Sequence, residues 1–184
     1  LVVSDIANTF WTTVARGVED AAHQRDYSVL LCNSDENLVK QHRYINFLIG
    51  QRVDGVIIAP YDSDAGKLDK LRQRDIPTVI VDRRVEGWNV DSVSSDSVAG
   101  ARALVQHLIE LGHERIGVIS GPTNTSTAED RVTGYCMALV EADGTPISTY
   151  EEFVRFVNGS NGRSVTTTWT GFDERGEPAG APVE

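Results

Sequence analysis

Polar and aromatic side chains follow several short apolar runs of this chain. Sugar hydroxyl groups can donate to a carboxylate while amide and guanidinium groups supply the complementary donors. The rings of Phe10, Trp11 and Tyr61 could lie against the apolar face of a sugar. The pattern predicts a site for a neutral polyhydroxylated ligand. For any single residue, the alternative is an ordinary polar loop end or an aromatic side chain at the edge of the core. The polar stretches are 5–11, 33–36, 61–64, 82–84 and 121–131.

Motifs of the common enzyme classes do not occur. The sequence contains no G-x-G-x-x-G after its first apolar run, no G-x-x-x-x-G-K-[ST], no H-E-x-x-H and no G-x-S-x-G. The four histidines lie on helical stretches or in a turn, none beside a nucleophile, and His107 is expected near a packed face. Cys32 and Cys136 lack metal-ligand spacing and are expected to be buried free thiols. We therefore predict no catalytic residue, no metal and no cofactor.

Apolar runs alternate with amphipathic helical stretches from the first residue onward. This order predicts a parallel, doubly wound α/β sheet with helices on both faces. The nearly continuous apolar strands agree, because such strands are buried on both sides. Ligands bind such sheets at the carboxyl ends of the strands, which is where the polar stretches lie. The predicted strands are 1–4, 28–32, 53–60, 76–81, 90–94 and 115–120, and the predicted helices are about 9–26, one ending near 50, 65–74, 97–111 and 127–141.

Two of these helices carry clear boundary signals. Asn8 or Thr9 can cap the first helix. Gly112 follows the helix over about 97–111 and is expected to end it. The packed side of that second helix is expected to comprise Ala103, Leu104, His107, Leu108 and Leu111.

Composition limits the possible partners. Hydrophobic residues make up 40% of the 184 residues and charged residues 24%, which is typical of a packed domain. The apolar runs are too short to span a membrane, and no secretion signal opens the chain. With 17 Lys plus Arg against 27 Asp plus Glu, the net charge is −10, so the chain alone is expected to bind DNA poorly. The two cysteines fit a reducing cytoplasm.

Several ordered motifs resemble those of the lactose-repressor (LacI) family. The stretch Asp5-Ile6-Ala7-Asn8-Thr9-Phe10-Trp11 resembles the family signature D-I-x-N-P-F-[FW], with Thr9 in place of the usual proline. Six further stretches continue the pattern in register, so that the resemblance covers about residues 1–142. They are 17–22, 31–36, 52–60, 76–83, 90–101 and 107–116, and the last match is Ser120-Gly121-Pro122 with 130–135.

The resemblance implies a fold of the type I periplasmic-binding-protein class, in which two lobes enclose a small effector. Residues 1–94 would form the N-terminal lobe, and residues 95–157, with a possible strand at 153–157, would form the start of the C-terminal lobe. Residues 158–184 are expected to be an irregular tail. Because the family's remaining crossovers are not found after Gly144, we expect a partial second lobe with exposed apolar surface and weakened effector binding.

The resemblance also implies the site residues and the function. Arg131 matches the family's effector-contacting arginine in the second lobe, and Arg83 and Thr127 are further candidates. The implied function is sensing of a sugar or nucleoside by a non-enzymatic cytoplasmic repressor. It would act as a homodimer and reach DNA through a helix-turn-helix segment absent from this chain. The alternative is a sugar-binding protein of an uptake system, and an enzyme would need catalytic groups that we cannot assemble. The residues expected to face the cleft from the first lobe are Asn8, Phe10, Trp11, Tyr61 and Asp82.

Overall fold

The computed structural model describes residues 1–114, 116–122, 125–142, 171–172 and 178–179. The chain divides into two compact units, Leu1–Ser95 and Asp96–Glu184. The assignment of these units to an N-terminal and a partial C-terminal lobe remains a prediction.

The first unit is built on a parallel sheet of five strands in the order β2-β1-β3-β4-β5. Val2 of the interior strand β1 pairs with Cys32 on one side and with Ile58 on the other. This order requires crossovers on both sides of β1, as predicted for a doubly wound sheet. The strands are β1 (Val2–Val3), β2 (Cys32–Asn33), β3 (Val56–Ile58), β4 (Thr78–Val81) and β5 (Asp91–Val93).

Helices cover both faces of this sheet, which confirms the predicted fold class. Helix α1 (Thr9–His23) packs on one face, where Trp11 joins the buried Val3. Helices α2 (Leu38–Gly50) and α3 (Asp69–Arg72) pack on the other, where their apolar residues join the buried Val2. Val2 and Val3 reach opposite faces because successive side chains of a strand alternate. A short 3₁₀ helix, Ala65–Leu68, precedes α3, so the helix predicted over 65–74 is split in two.

The second strand is shorter than predicted. The expectation of a strand over 28–32 is wrong for most of that stretch, because only Cys32–Asn33 pair with β1. Strand β2 lies at the edge of the sheet, with β1 as its one neighbour there. Leu30 and Leu31 are therefore 45% and 49% exposed instead of buried.

The second unit contains the helix pair α4 (Ser97–Glu110) and α5 (Ser126–Ala142). The two helices approach closely at Gly134, where an added Cβ would lie 2.2 Å from the Val98 carbonyl oxygen of α4. Val105, Tyr135, Cys136 and Ala138 form the buried cluster of this unit. Gly112 has a φ of 85° just after α4, as a helix-ending glycine should.

The predicted packed face of α4 is wrong. Leu104 and Leu111 are 64% and 62% exposed, and Ala103 and His107 are exposed as well. The contact instead runs through Val105, with Ile109 packed against the same cluster one turn later. Since Leu104 and Val105 are adjacent and both apolar, the sequence pattern alone placed the buried stripe about 100° away from its true position.

The strand predicted over 115–120 is also wrong where the structure describes it. Residues 116–120 belong to no strand. Ile116 and Val118 pack against the buried cluster of the second unit, whereas Gly117 and Ile119 are exposed. This alternation is the side-chain pattern of a strand, but a strand also needs ladder hydrogen bonds to a neighbour. The Tyr135 hydroxyl donates instead to the Ile116 carbonyl oxygen at 2.8 Å.

The tail contains a small antiparallel pair where an irregular segment was expected. Strand β6 (Gly171–Phe172) pairs with β7 (Pro178–Ala179). The possible strand at 153–157 and most of the predicted tail lie outside the described residues. In the part of the chain that the structure describes, no helix has the length and apolar character needed to cross a membrane.

Candidate functional site

The loops that follow β1 and β2 are tied together at the carboxyl edge of the first unit's sheet. The Ile6 amide donates to the Asn33 side-chain oxygen at 3.1 Å. The Glu36 amide donates to the Ser4 carbonyl oxygen at 2.9 Å, and the Ser34 hydroxyl donates to the Val3 carbonyl oxygen at 3.0 Å. The sequence prediction that the polar stretches after these strands share one edge is therefore confirmed.

Arg83, the residue two positions after β4, is buried at this edge. Its Nη1 donates to Glu36 Oε2 at 3.0 Å and its Nη2 to Glu36 Oε1 at 2.6 Å. Nη1 also donates to the Pro60 carbonyl oxygen at 2.7 Å and to the Tyr61 carbonyl oxygen at 2.9 Å. Both Nη atoms are thus occupied by protein acceptors, whereas the buried Nε lies 4.0 Å from Asp82 Oδ2 and has no hydrogen-bond partner among the described residues. The role of Arg83 as a ligand contact remains a prediction.

Asp82 occupies an unusual backbone position directly before Arg83. Its φ is 71°, and the Arg83 amide donates to the Val81 carbonyl oxygen at 2.9 Å, which closes a three-residue turn around Asp82. The Asp82 amide donates to the Val93 carbonyl oxygen of β5 at 2.8 Å. Residues other than glycine rarely adopt this conformation, and such strain concentrates at functional sites. The turn therefore fixes the place of a carboxylate at the sheet edge.

Tyr61 follows β3 and is held through its backbone. Its amide donates to the side-chain oxygen of the buried Gln41 at 2.7 Å. Its ring lies 5.8 Å from the Lys67 ammonium, which is itself paired with the buried Asp62. That pairing with Asp62 raises the pKa of Lys67. Gln41 is a functional candidate that sequence reasoning missed, and a lone amide on an amphipathic helix gives no signal for it.

The residues around the start of α1 divide into a core residue and two edge residues. Trp11 is only 4% exposed and packs in the core, whereas Phe10, in edge contact with its ring, is 50% exposed. The Asn8 side-chain oxygen accepts from the Phe10 amide at 3.0 Å and so begins the helix. This capping confirms the predicted helix start with Thr9 in place of proline. The ligand roles of all three residues remain predictions.

Three basic side chains at or near this edge each pair with a carboxylate. Arg83 binds Glu36, Lys67 binds Asp62, and Lys40 binds Asp35 on the loop after β2. The Lys40 hydrogen bond lowers the pKa of Asp35. The edge therefore carries little uncompensated positive charge from these groups.

Thr127 and Arg131 lie on α5 of the second unit. They are four residues apart and so share one side of the helix. Thr127 is buried in the first turn of α5, and Arg131 is exposed one turn later. The Thr125 carbonyl oxygen accepts from the amides of Ala128 and Glu129, which closes the first turn of the helix. Among the described residues, no cluster of His, Cys, Asp and Glu could hold a metal ion.

A protein-family profile matches most of the chain. The family described as "Periplasmic binding proteins and sugar binding domain of LacI family" matches residues 1–151. The match includes β1 to β5 and both long helices of the second unit, and thus every candidate residue described above.

Curated relatives extend this finding. The chain is 36% identical over 143 residues to the HTH-type transcriptional repressor PurR of Photobacterium profundum, covering 77% of this chain and 43% of that protein. It is 37% identical over 157 residues to the ribose operon repressor of Halalkalibacterium halodurans, covering 83% of this chain and 45% of that protein. The chain therefore spans less than half the length of these relatives.

A solved structure with a bound sugar has the same fold. It is a periplasmic binding protein/LacI transcriptional regulator from Alkaliphilus metalliredigens complexed with D-xylulofuranose. The TM-score is 0.70 with 29% sequence identity, over 79% of this chain and 53% of that structure.

Proposed function

The chain belongs to the family of periplasmic binding proteins and LacI-type sugar-binding domains, and we propose that it senses a neutral, hydroxyl-rich effector for a transcriptional repressor. The observation that carries this proposal is the sheet edge of the first unit. Residues that follow three of its strands lie there: Asp82 in a strained turn after β4, Tyr61 after β3, and Asn8 with Phe10 at the start of α1. The ribose and purine repressors among the relatives support the same function by their names.

The proposed contacts follow from the chemistry of each group. The Asp82 carboxylate accepts from effector hydroxyl groups, and Asn8 donates through its amide nitrogen, because its oxygen already caps α1. The half-exposed Phe10 ring lies against the apolar face of the sugar. Arg131 and Thr127 on α5 are further proposed effector contacts, on the basis of the family to which the chain belongs. Trp11, which is buried, acts by supporting Phe10, with the two ring centroids 4.9 Å apart.

The charge distribution favours an uncharged effector over a phosphorylated one. Lys40, Lys67 and Arg83 are each neutralised by a carboxylate. A phosphate at this edge would have to displace one of these carboxylates, at a cost in desolvated and unpaired charge. The net charge of −10 opposes an anionic ligand further.

We further propose how effector binding controls transcription. Effector binding shifts the protein between two conformations, and a homodimer passes the shift to DNA-reading segments. The protein is then a non-enzymatic regulator, and it acts in the cytoplasm because its target is DNA.

Calorimetric titration of the chain with D-ribose, D-xylulose and D-ribose 5-phosphate tests the proposal. We expect weak binding of at least one neutral sugar and about tenfold weaker binding, or none, of the phosphate. Asp82→Asn, which keeps a residue type that tolerates positive φ, and Arg131→Gln should each weaken sugar binding about tenfold, the value of a lost charge-assisted hydrogen bond. Arg72→Gln removes an exposed ion pair with Asp69 and serves as the control.

Equal affinity of the wild-type chain and both site variants would contradict the assigned residues. A preference for the phosphorylated sugar would contradict the charge argument. The alternative function, a sugar-binding protein for uptake, shares the fold and the site. Genomic sequence upstream of the region encoding Leu1 separates the two: a helix-turn-helix supports the repressor, and a cleavable signal peptide supports uptake.

A further inference from the structure

The ion pair between Glu36 and Arg83 joins two loops that are 47 positions apart in the sequence. The pair is bidentate, and the Arg83 side chain is only 9% exposed whereas that of Glu36 is 46% exposed. Without Glu36, the buried guanidinium would keep its charge and its two carbonyl acceptors but lose the carboxylate that compensates most for its desolvation. The position of Arg83 therefore depends on Glu36, which stands at the rim.

The contacts of this pair extend to four consecutive strand ends. The Glu36 amide donates to Ser4 after β1, and Glu36 itself lies in the loop after β2. Arg83 follows β4 and donates to Pro60 and Tyr61, which follow β3. The Arg83 side chain thus donates to residues that follow two strands other than its own.

Two strained residues lie within this linkage. Glu36 has a φ of 48° and Asp82 a φ of 71°, values that non-glycine residues adopt only when the surrounding structure holds them there. The first carries the carboxylate of the pair, and the second is the residue directly before Arg83. Loss of the pair removes a restraint from both positions at once.

We propose that Glu36 is a positioning residue of the effector site, and that it acts through Arg83 to hold Tyr61 and Asp82 in place. Glu36 contacts no effector atom in this proposal. It is needed because binding gains affinity from groups that are already ordered before the ligand arrives. The link to binding rests on the proposed function, but the effect of Glu36 on the loops after β3 and β4 does not.

Amide hydrogen exchange in the effector-free chain, followed by NMR, tests the positioning directly. Glu36→Gln keeps the size of the side chain but removes its charge and one acceptor. We expect the amides of Tyr61 and Arg83 to exchange about tenfold faster or more, which corresponds to the loss of one charge-assisted hydrogen bond. Arg83→Lys should have the same effect, because an ammonium group cannot match the fork of contacts.

The matched control is Lys40→Gln. It removes the neighbouring ion pair between Lys40 of α2 and Asp35 of the loop after β2, whose side chains are both about half exposed. The amides of Tyr61 and Arg83 should then exchange within about twofold of the wild-type rates. The amides of Ile45 and Leu48 in α2 should also be unchanged in all variants. The proposal is overturned if Glu36→Gln matches Lys40→Gln, or if it accelerates α2 equally, since that would be a general loss of stability.

A double-mutant cycle on D-ribose binding tests the functional half. If Glu36 acts through Arg83, the double variant Glu36→Gln/Arg83→Lys should bind no more weakly than Arg83→Lys alone, within about twofold. Additive losses would overturn the positioning role and point to a direct contact by each residue. If the wild-type chain binds neither ribose nor xylulose, the proposed function fails, while the exchange rates still decide whether Glu36 positions the loops.

Discussion

The close contact between α4 and α5 at Gly134 predicts a large effect of a single methyl group. A Cβ at this position would lie 2.2 Å from the Val98 carbonyl oxygen, 2.9 Å from the Arg102 amide nitrogen and 3.0 Å from the Ala101 Cβ. Two of these three atoms belong to the backbone of α4, so they cannot rotate away. The helices would have to separate by about 1 Å to restore ordinary contact distances.

The magnitude of the effect follows from two opposing contributions. Overpacking costs about 1–3 kcal/mol, and contact with backbone places this site at the upper end, at about 3 kcal/mol. Alanine gains about 1 kcal/mol over glycine within a helix. Gly134→Ala should therefore destabilise the second unit by about 2 kcal/mol, which raises the population of its open form about 30-fold.

The two buried free cysteines provide an assay that separates the units. Cys136 on α5 is 2% exposed and Cys32 in the first unit is 4% exposed, so each thiol should be labelled only when its own unit opens. Under native conditions, Gly134→Ala should speed labelling of Cys136 about 30-fold and leave Cys32 unchanged, as read by peptide mass spectrometry. If Cys136 in Gly134→Ala is labelled at the same rate as in the wild-type chain, the close contact between Gly134 and α4 is refuted.

Gly100→Ala is the matched control. Gly100 is also a helical glycine of this pair, on α4, but it is exposed and a Cβ there would meet nothing within 4 Å. The substitution should stabilise α4 by about 0.5–1 kcal/mol through helix propensity alone. Labelling of Cys136 should then slow about two- to fivefold, a change opposite in sign to that of Gly134→Ala.

Two further predictions concern helix capping and pH. Asn37→Ala removes the side-chain oxygen that accepts from the Lys40 amide at 3.0 Å, so it should lower the free energy of unfolding by about 1 kcal/mol, as measured by urea unfolding followed by Cys32 labelling. Asn46→Ala in mid-helix loses only an exposed hydrogen bond from Lys70 and gains helix propensity, so it should cost less than about 0.5 kcal/mol. Burial raises the pKa of Cys136 from 9.0 to about 12, so the folded chain binds more protons than the unfolded chain between these values. The free energy of unfolding should therefore fall as pH rises through that window, and Cys136→Ala should flatten the fall; an equal slope in both proteins would contradict it.

The layout of the first unit could be predicted because its signals are local. Asn8 sits where its side chain can cap α1, and Gly112 sits where a positive φ ends α4, so single residues mark these boundaries. The order of apolar strands and helices then leaves few topologies open. The placement of the polar stretches at one edge followed from the parallel sheet itself.

The errors arose where the outcome depends on neighbours in space. Leu30 and Leu31 are apolar and strand-like, but they lie before the paired residues of the edge strand β2 and are about half exposed. Leu104 and Val105 are equally apolar, and only the close approach of α5 decides which of the two is buried. The contacts of Arg83 with Glu36, Pro60 and Tyr61 join loops after two other strands, and no local sequence signal predicts them.

The most direct test of the central claim is a map of backbone amide chemical shifts as D-ribose or D-xylulose is added to the chain. We predict that the chemical-shift changes caused by the sugar cluster at the carboxyl edge of the sheet, at Asn8, Phe10, Tyr61 and Asp82. The chemical shifts of the amides of α3, which packs on a face of the sheet, should not change. Saturable shifts centred elsewhere in the first unit, with these four amides unmoved, would contradict it.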